Sequence, residues 1–277
     1  SVEDAVKLLG SLENAKILAG GQSLMPMLNM RYVLPDHVID LNKIDGLSYI
    51  RDVGDALEIG AMTRQRDLEF SDVVRQRCPI MHEALLQVGH RQTRNRGTIG
   101  GSLSHLDPAA ELPTICAAHD AVITVQGTNG PRDIPFAEFP AGYMTPSIEI
   151  DELVTGIRVP LWPAGHGYGF EEFARRHGDF AMASAAALLV VGGDGKITRA
   201  SLTIGGVGTA PVRMGGIEQA LVGGDGSEDR LRELCEECRT IDSIGDVYAS
   251  AEYRQHLATV MSRRALVKAY GRATGKA

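Results

Sequence analysis

The sequence predicts an α+β fold of two domains, and three observations support this prediction. The chain has 277 residues, a length for which about two domains of ordinary size are expected. A link containing proline and glycine, residues 160–167, separates a longer first part from a shorter second part and holds the only tryptophan, Trp162. In the second part, strand-like stretches are followed by polar helices, which is an order typical of α+β domains.

The first forty residues predict a helix, a strand, a glycine loop, a second helix and a second strand. Ser1 can cap the first helix, and Asp4 lies in its first turn, where a negative charge favours the helix dipole. The predicted segments are a helix from Val2 to Leu9, a strand from Ala15 to Leu18, a helix from Ser23 to Met30 and a strand from Val38 to Leu41.

From Tyr49 onward the apolar residues recur at every second position, which is the period of a strand with one buried face. This pattern predicts two hairpins, with turns at Gly54-Asp55 and at Asn129-Gly130. The other predicted elements of the first domain are a helix over residues 73–88, an apolar helix that opens at Asp107-Pro108 and runs through Leu112 to Ala118, and a strand from Val154 to Val159.

The second domain is predicted to contain a three-stranded antiparallel sheet with helices on one side. The predicted strands are Tyr168–Phe173, Ala181–Val191 and Ile197–Ile204, and the predicted helices are Glu228–Arg239 and Tyr253–Tyr270.

Charge and composition exclude several classes of protein. The formal net charge is −7, from 28 Lys and Arg against 35 Asp and Glu, and this acidic excess would repel a nucleic acid. The longest apolar run, Phe180 to Val191, is too short to span a membrane, and no signal peptide is expected. Four cysteines in 277 residues do not suggest a disulfide framework, so we expect a cytoplasmic protein.

Glycine is the most distinctive residue, because the chain has 32 of them, more than average usage predicts. Two Gly-Gly pairs lie beside hydroxyl residues in similar motifs, Ala19-Gly20-Gly21-Gln22-Ser23 and Thr98-Ile99-Gly100-Gly101-Ser102. Two such loops could hold a diphosphate through converging backbone N–H groups, or both could be plain tight turns. The Walker and Rossmann patterns fail on their spacing.

These two motifs, together with Asp107-Pro108-Ala109-Ala110-Glu111, resemble the flavin subunit of molybdenum hydroxylases. This family includes the medium subunits of aerobic carbon monoxide dehydrogenase and xanthine dehydrogenase. The resemblance covers nearly the whole chain. Its further matches are Ile157-Arg158-Val159-Pro160, Gly165-His166-Gly167-Tyr168, Arg176-His177-Gly178-Asp179-Phe180-Ala181, Tyr253-Arg254 and Arg263-Arg264-Ala265.

The resemblance implies a FAD-binding domain of the vanillyl-alcohol-oxidase type (PCMH). This domain would span residues 1–163, with subdomains over about 1–45 and 46–163, and the C-terminal α+β domain would span residues 164–277.

The resemblance also implies a set of FAD-binding residues. Two segments would embrace the pyrophosphate, Ala19, Gly20, Gly21, Gln22, Ser23 and Leu24 on one side and Thr98, Ile99, Gly100, Gly101 and Ser102 on the other. Glu111, with Asp107 beside it, would lie on the ribityl or ribose side of the cofactor. Phe180 would lie near the isoalloxazine ring, with Asp179 and Arg176 in the same segment. His105 would be a hydrogen-bonding neighbour of the FAD or a covalent link to it, and the family generally binds FAD without a covalent bond.

The function implied by the resemblance is electron transfer within a heterotrimer. A large subunit would hold the molybdopterin cofactor and oxidise the organic substrate, and a small subunit would carry two-iron two-sulfur clusters. FAD in this chain would then deliver electrons to NAD, oxygen or a quinone, in a complex that forms a dimer of heterotrimers. Gln22 and Ser102 depart from the carbon-monoxide-oxidising members, which carry His and Asn there.

Two other functions stay open at this point. One is a stand-alone FAD-dependent oxidase of the same fold, and the other is a noncatalytic nucleotide-binding scaffold protein. No residue is predicted to be catalytic, because no acid–base pair or nucleophilic triad can be assembled.

The remaining motifs have structural interpretations as well as functional ones. Cys235 and Cys238 have the spacing of half a zinc site, but no second pair of ligands accompanies them, so we predict a structural role. Arg91, Arg94 and Arg96 could steer an anionic cofactor, contact a partner or belong to a solvated loop.

Overall fold

The computed structural model describes residues 1–276, and these residues form a mixed α/β structure. The helices are α1 (Val2–Ser11), α2 (Leu24–Asn29), α3 (Gln65–Phe70), α4 (Asp72–Arg77), α5 (Pro79–Gln87), α6 (Arg91–Arg96), α7 (Ile99–His105), α8 (Glu111–Ala118), α9 (Gly215–Leu221), α10 (Glu228–Cys235) and α11 (Ala251–Ala273). The strands are β1 (Ala15–Leu18), β2 (His37–Asp40), β3 (Ile50–Asp52), β4 (Ala56–Gly60), β5 (Val122–Gly127), β6 (Gly130–Pro135), β7 (Pro140–Gly142), β8 (Thr145–Pro146), β9 (Leu153–Pro160), β10 (Gly167–Phe173), β11 (Ala183–Val191), β12 (Ile197–Gly205) and β13 (Val212–Arg213).

The N-terminal segment folds as predicted into two helices and two paired strands. The Ser1 and Asp4 side chains form a reciprocal capping box at the start of α1. Strands β1 and β2 pair in parallel, with Ala15 opposite His37. The apolar side of α1 packs on these strands and forms a small core of its own, which includes Val6 and Leu9.

The next segment contains a five-stranded antiparallel sheet of order β3-β4-β9-β5-β6, covered by helices. Both predicted hairpins are present in this sheet. The single helix predicted over residues 73–88 is instead two helices that break at Cys78. Pro79 begins the second helix, because proline has no N–H to continue the first and its fixed φ suits a helix start.

The C-terminal sheet is antiparallel as predicted, but it has four strands in the order β10-β11-β12-β13. The added strand β13 has only two residues, Val212 and Arg213, which is too short to leave a pattern in the sequence. The sequence prediction also missed α9, whose first residues are Gly215 and Gly216.

The C-terminal sheet packs on the long helix α11 with one face and on the first domain with the other. Alternate side chains of β11 point to opposite faces of the sheet. Ala185 and Ala187 lie in the core under α11, whereas Ala186 and Leu188 lie in the core of the first domain. Phe170 of β10 also packs into that first core. The two parts of the chain therefore share apolar packing across their boundary.

Cys235 and Cys238 are both buried, at the end of α10 and in the turn that follows it. The Cys238 Sγ lies 3.4 Å from the Ser262 Oγ. No helix of residues 1–276 has the length and apolar character needed to cross a membrane.

Candidate functional site

The first glycine motif forms an open loop between β1 and α2. Gly21 has a φ of +74°, and Ser23 follows with helical dihedral angles. Within residues 1–276, the backbone N–H groups of Gly21, Gln22 and Ser23 donate no hydrogen bond, and the Ser23 hydroxyl does not cap α2. Successive free N–H groups around a residue with positive φ form a nest that can bind an anion.

The second glycine motif is not a loop of this kind, which corrects the prediction of two similar loops. Thr98 is the N-cap of α7, and its Oγ1 accepts a hydrogen bond of 3.1 Å from the Gly101 N–H. The Ile99 and Gly100 N–H groups donate to the backbone oxygens of Thr63 and Ala61, at 3.2 and 2.9 Å. These donors are already used inside the protein.

The first motif lies against the second motif and against the two residues that precede it, Arg96 and Gly97. A Cβ atom at Gly20 would lie 2.3 Å from the Arg96 backbone oxygen and 2.8 Å from the Gly97 Cα. A Cβ atom at Gly101 would lie 3.7 Å from the Ala19 Cβ. The second motif therefore forms a wall beside the nest, and glycine at position 20 permits the close approach.

Arg64 links the two motifs through its guanidinium group. One nitrogen donates to the Arg96 backbone oxygen, and the other donates to the Asn42 Oδ1 at 2.5 Å. Asn42 in turn donates to the Ala19 backbone oxygen at 2.9 Å. Burial, together with the nearby Arg96 charge, lowers the pKa of Arg64 from its ordinary value. A partly desolvated cation beside the nest suits a bound anion.

The residues predicted on the ribityl side, Asp107 and Glu111, follow α7 in the chain. His105 ends that helix, and burial lowers its pKa. The Asp107 Oδ1 accepts a hydrogen bond of 2.8 Å from the Ala109 N–H, which shapes the turn into α8. Glu111 is the first residue of α8 and is only 8% exposed. Burial and the charge of Glu172 raise the pKa of Glu111 to about 8.

The predicted flavin-ring segment connects β10 to β11. Phe180 is 76% exposed, which is unusual for so large an apolar side chain. The Asp179 Oδ2 is buried without a hydrogen-bond partner in the described chain. This segment approaches the first domain, because a Cβ atom at Gly178 would lie 2.4 Å from the His90 Cε1. Arg176 is exposed in the same segment.

The basic cluster forms a helix, so of its three interpretations the solvated loop is the one that the structure contradicts. Arg91, Arg94 and Arg96 form α6 rather than a loop. Arg94 is buried, and its Nε lies 2.8 Å from the Glu69 Oε2. Arg96 contributes its backbone oxygen to the contact with Gly20. The interpretation as a solvated loop was therefore wrong for Arg94.

Sequence reasoning missed three residues of this region, Asn42, Arg64 and Glu172. No local pattern connects Arg64 with Asn42, because their contact depends on how two separate chain segments meet. The sequence did contain a signal that one glutamate of this strand faces the interior. Glu172 follows Glu171 within the predicted strand Tyr168–Phe173, and two adjacent strand residues point to opposite faces of a sheet.

The described residues fit a flavin dinucleotide in three respects. Free N–H groups and a partly desolvated arginine meet where a pyrophosphate would lie. The buried Asp179 Oδ2 lacks a partner that a ligand could supply. An exposed aromatic ring, Phe180, is available to cover a flavin.

Comparison with protein families gives two matches that together cover most of the chain. Residues 1–162 match the family described as the FAD binding domain in molybdopterin dehydrogenase. Residues 168–269 match the CO dehydrogenase flavoprotein C-terminal domain.

Similar proteins match over nearly their whole length. The 6-hydroxypseudooxynicotine dehydrogenase complex subunit alpha of Paenarthrobacter nicotinovorans is 41% identical, over 99% of this chain and 93% of its own. The nicotine 6-hydroxylase medium subunit of the same organism is 38% identical, over 98% of this chain and 95% of its own.

Solved structures show the same fold. A carbon monoxide dehydrogenase from Hydrogenophaga pseudoflava superimposes with a TM-score of 0.95 at 36% identity, covering 98% of this chain and 95% of that one. Quinoline 2-oxidoreductase from Pseudomonas putida 86 gives a TM-score of 0.94 at 31% identity, covering 100% of this chain and 95% of that one.

Proposed function

The chain belongs to the family of FAD-binding subunits of molybdenum hydroxylases, and from this premise we propose that its FAD passes electrons from a partner chain to a terminal acceptor. Iron–sulfur clusters of a small subunit deliver the electrons one at a time, and FAD collects two. A large subunit with a molybdopterin cofactor oxidises the organic substrate. The complex is a dimer of heterotrimers, and the acceptor is NAD, oxygen or a quinone.

The observation that carries this proposal is the nest at Gly21, Gln22 and Ser23. In the proposed complex these N–H groups hold the FAD pyrophosphate, and Thr98 to Ser102 form the wall on its other side. Glu111 contacts the ribityl or ribose hydroxyls, and Phe180 lies beside the isoalloxazine ring. FAD supplies the redox chemistry when bound, and this chain's residues bind and orient it.

The relatives support a multi-subunit assembly. One of them is named as the alpha subunit of a dehydrogenase complex, and another as the medium subunit of a hydroxylase. The match to such subunits over nearly their full length favours the subunit function over a stand-alone oxidase.

Purification of the protein from its native host tests the proposal. We expect the chain to co-purify with two other chains, to show the absorption spectrum of bound flavin, and to contain molybdenum and iron. A preparation without flavin would overturn the proposal. Flavin without molybdenum, iron or partner chains would instead favour the stand-alone oxidase.

A further inference from the structure

The interface between the two domains contains a buried polar strip that FAD binding alone does not explain. Glu172 of β10 lies opposite Ser184 of β11, which lies opposite Gly205 of β12. Directly opposed residues of neighbouring strands point to the same face of a sheet. We use the name polar strip for Glu172, Ser184 and Thr203, where Thr203 lies one row further along, opposite Ala186.

The polar strip faces helix α8 of the first domain. A Cβ atom at Gly205 would lie 2.3 Å from the Thr114 Oγ1 and 2.6 Å from the Ser184 Oγ. Glycine at position 205 therefore leaves room for two hydroxyl groups at the interface. One row beyond Thr203, the Ser201 hydroxyl donates to the Ala118 backbone oxygen at 2.8 Å, which fixes the other end of α8 to the same sheet.

Each member of the polar strip has a buried atom without a partner. The Glu172 Oε2, the Ser184 Oγ and the Thr203 Oγ1 make no hydrogen bond within residues 1–276. An unpaired buried polar group costs free energy. Three such atoms on one face make this interface costly to bury.

Helix α8 crosses the sheet from β12, which Ala118 contacts, to β11, where Thr114 lies beside Ser184. Glu111 comes one helical turn before Thr114 on the same side of α8, so it lies toward β10, the strand that carries Glu172. Within the described residues, neither carboxyl accepts a hydrogen bond from another side chain. Burial raises the pKa of Glu172 to about 7, and burial together with the Glu172 charge raises that of Glu111 to about 8. Two carboxylates in a low-dielectric interface repel each other, so one proton is retained by the pair.

The surrounding charges do not neutralise the two carboxyls. Asp107 raises the pKa of Glu111 further, whereas Arg94 lowers it. Arg94 is already paired with Glu69. On the opposite face of β10, Glu171 lies 3.2 Å from Lys268. On α5, the helix packed against β10, Glu83 is bound by Arg272 and Lys268.

We propose that Glu172 is a positioning residue for Glu111: the two carboxyl groups share one proton across the domain interface, and the resulting hydrogen bond holds Glu111 toward the FAD. The shared proton requires this chain alone, whereas the orientation of Glu111 rests on the proposed function, because it requires FAD beside Glu111. When the proton is lost, two like charges separate the carboxyls and also repel the anionic diphosphate of the cofactor.

The shared proton is tested on the full chain after removal of FAD. The raised pKa values mean that the folded protein binds more protons than the unfolded chain, from the ordinary glutamate pKa of 4.5 up to about 8. Stability should therefore fall as the pH rises through this window. We expect the midpoint of urea unfolding to fall less steeply with pH in Glu172→Gln than in the wild type.

Glu171→Gln is the matched control, since Glu171 is the adjacent residue on the opposite face. It should keep the wild-type pH dependence in this window. Glu111→Gln should reproduce the flatter profile of Glu172→Gln, and the double variant should add little to either. An unchanged pH profile in both Glu111→Gln and Glu172→Gln would overturn the shared proton.

The positioning of Glu111 is tested by titrating the same proteins with FAD at several pH values. In the wild type, FAD affinity should weaken by up to about tenfold per pH unit above the pH at which Glu111 and Glu172 lose their shared proton. In Glu172→Gln this dependence should be largely lost. Equal pH dependence in the wild type and Glu172→Gln would overturn the positioning role. Absence of FAD binding by the wild type would overturn the proposed function, while the urea profiles would still decide the shared proton.

Discussion

Two adjacent glycines, Gly20 and Gly21, have different roles in the candidate site. Gly20 allows two backbone segments to meet, because any side chain there would overlap the Arg96 carbonyl. Gly21 has a φ of +74° and bends the chain so that consecutive N–H groups point outward. The sequence predicted the motif that contains both glycines. It could not distinguish their roles, because one depends on a segment about 76 residues away.

Replacing Gly21 by alanine should weaken FAD binding as well as destabilise the fold. Its positive φ costs an alanine about 1–2 kcal/mol, and relief of this strain would rotate the N–H groups of the nest. We expect FAD affinity to fall by about tenfold, which corresponds to about 1.4 kcal/mol. Flavin fluorescence titration measures the affinity, and urea unfolding measures the stability.

Gly54→Ala is the control for this prediction. Gly54 has a φ of +94°, and a Cβ atom there meets nothing within 4 Å. It should lose a similar amount of stability and keep the wild-type FAD affinity. Equal FAD affinities in the two variants would contradict the role of Gly21 in the nest.

The second glycine motif explains why part of the site could not be predicted. Two glycines in one turn disfavour a helix on propensity alone, so the sequence indicates a loop. Gly100 nevertheless belongs to α7, because its N–H bonds to Ala61 and a larger residue would overlap that neighbour. A tertiary contact decides the local structure here. Helix α6 escaped prediction for a related reason, since Arg91–Arg96 has no apolar period and only Arg94 is buried.

The link between the two glycine motifs should depend on Arg64 in particular. Arg64→Ala removes hydrogen bonds to the Arg96 oxygen and to Asn42. A typical hydrogen bond contributes about 0.5–1.5 kcal/mol net, so for the two bonds together we expect a loss of about 1–3 kcal/mol in the free energy of unfolding. FAD should also bind more weakly, because the nest and its wall are no longer held together.

Arg66→Ala is the matched control for Arg64→Ala. Arg66 is exposed, and its hydrogen bond to the Asn95 Oδ1 is 3.2 Å long. Its loss should change stability by no more than about 0.5 kcal/mol. If Arg64→Ala and Arg66→Ala gave the same free energy of unfolding and the same FAD affinity, Arg64 would contribute nothing measurable to the link between the two motifs.

The complete chain joins its two parts through packing that neither part could form alone. Phe170, Ala186 and Leu188 come from the C-terminal sheet but lie in the core of the first domain. The Arg272 Nη2 of α11 lies 2.6 Å from the Glu83 Oε1 of α5. The sequence located the link at residues 160–167, but it gave no sign that the core continues across it, because such packing is set by the pairing of distant segments. The division at residues 163 and 164 stays a prediction.

Because the core is shared, the full chain should unfold in a single cooperative transition. Removal of residues 164–277 would uncover apolar surface of α5 and α8 and would leave Glu83 without its cationic partners. We therefore expect a fragment of residues 1–163 to bind hydrophobic dyes and to associate in solution, and calorimetry of the full chain to give equal calorimetric and van't Hoff enthalpies. Two separated heat-absorption peaks, together with a monomeric fragment that unfolds cooperatively, would show that the domains are energetically independent. In that case the polar strip could not couple Glu172 to Glu111, because that coupling requires the two domains to remain packed together.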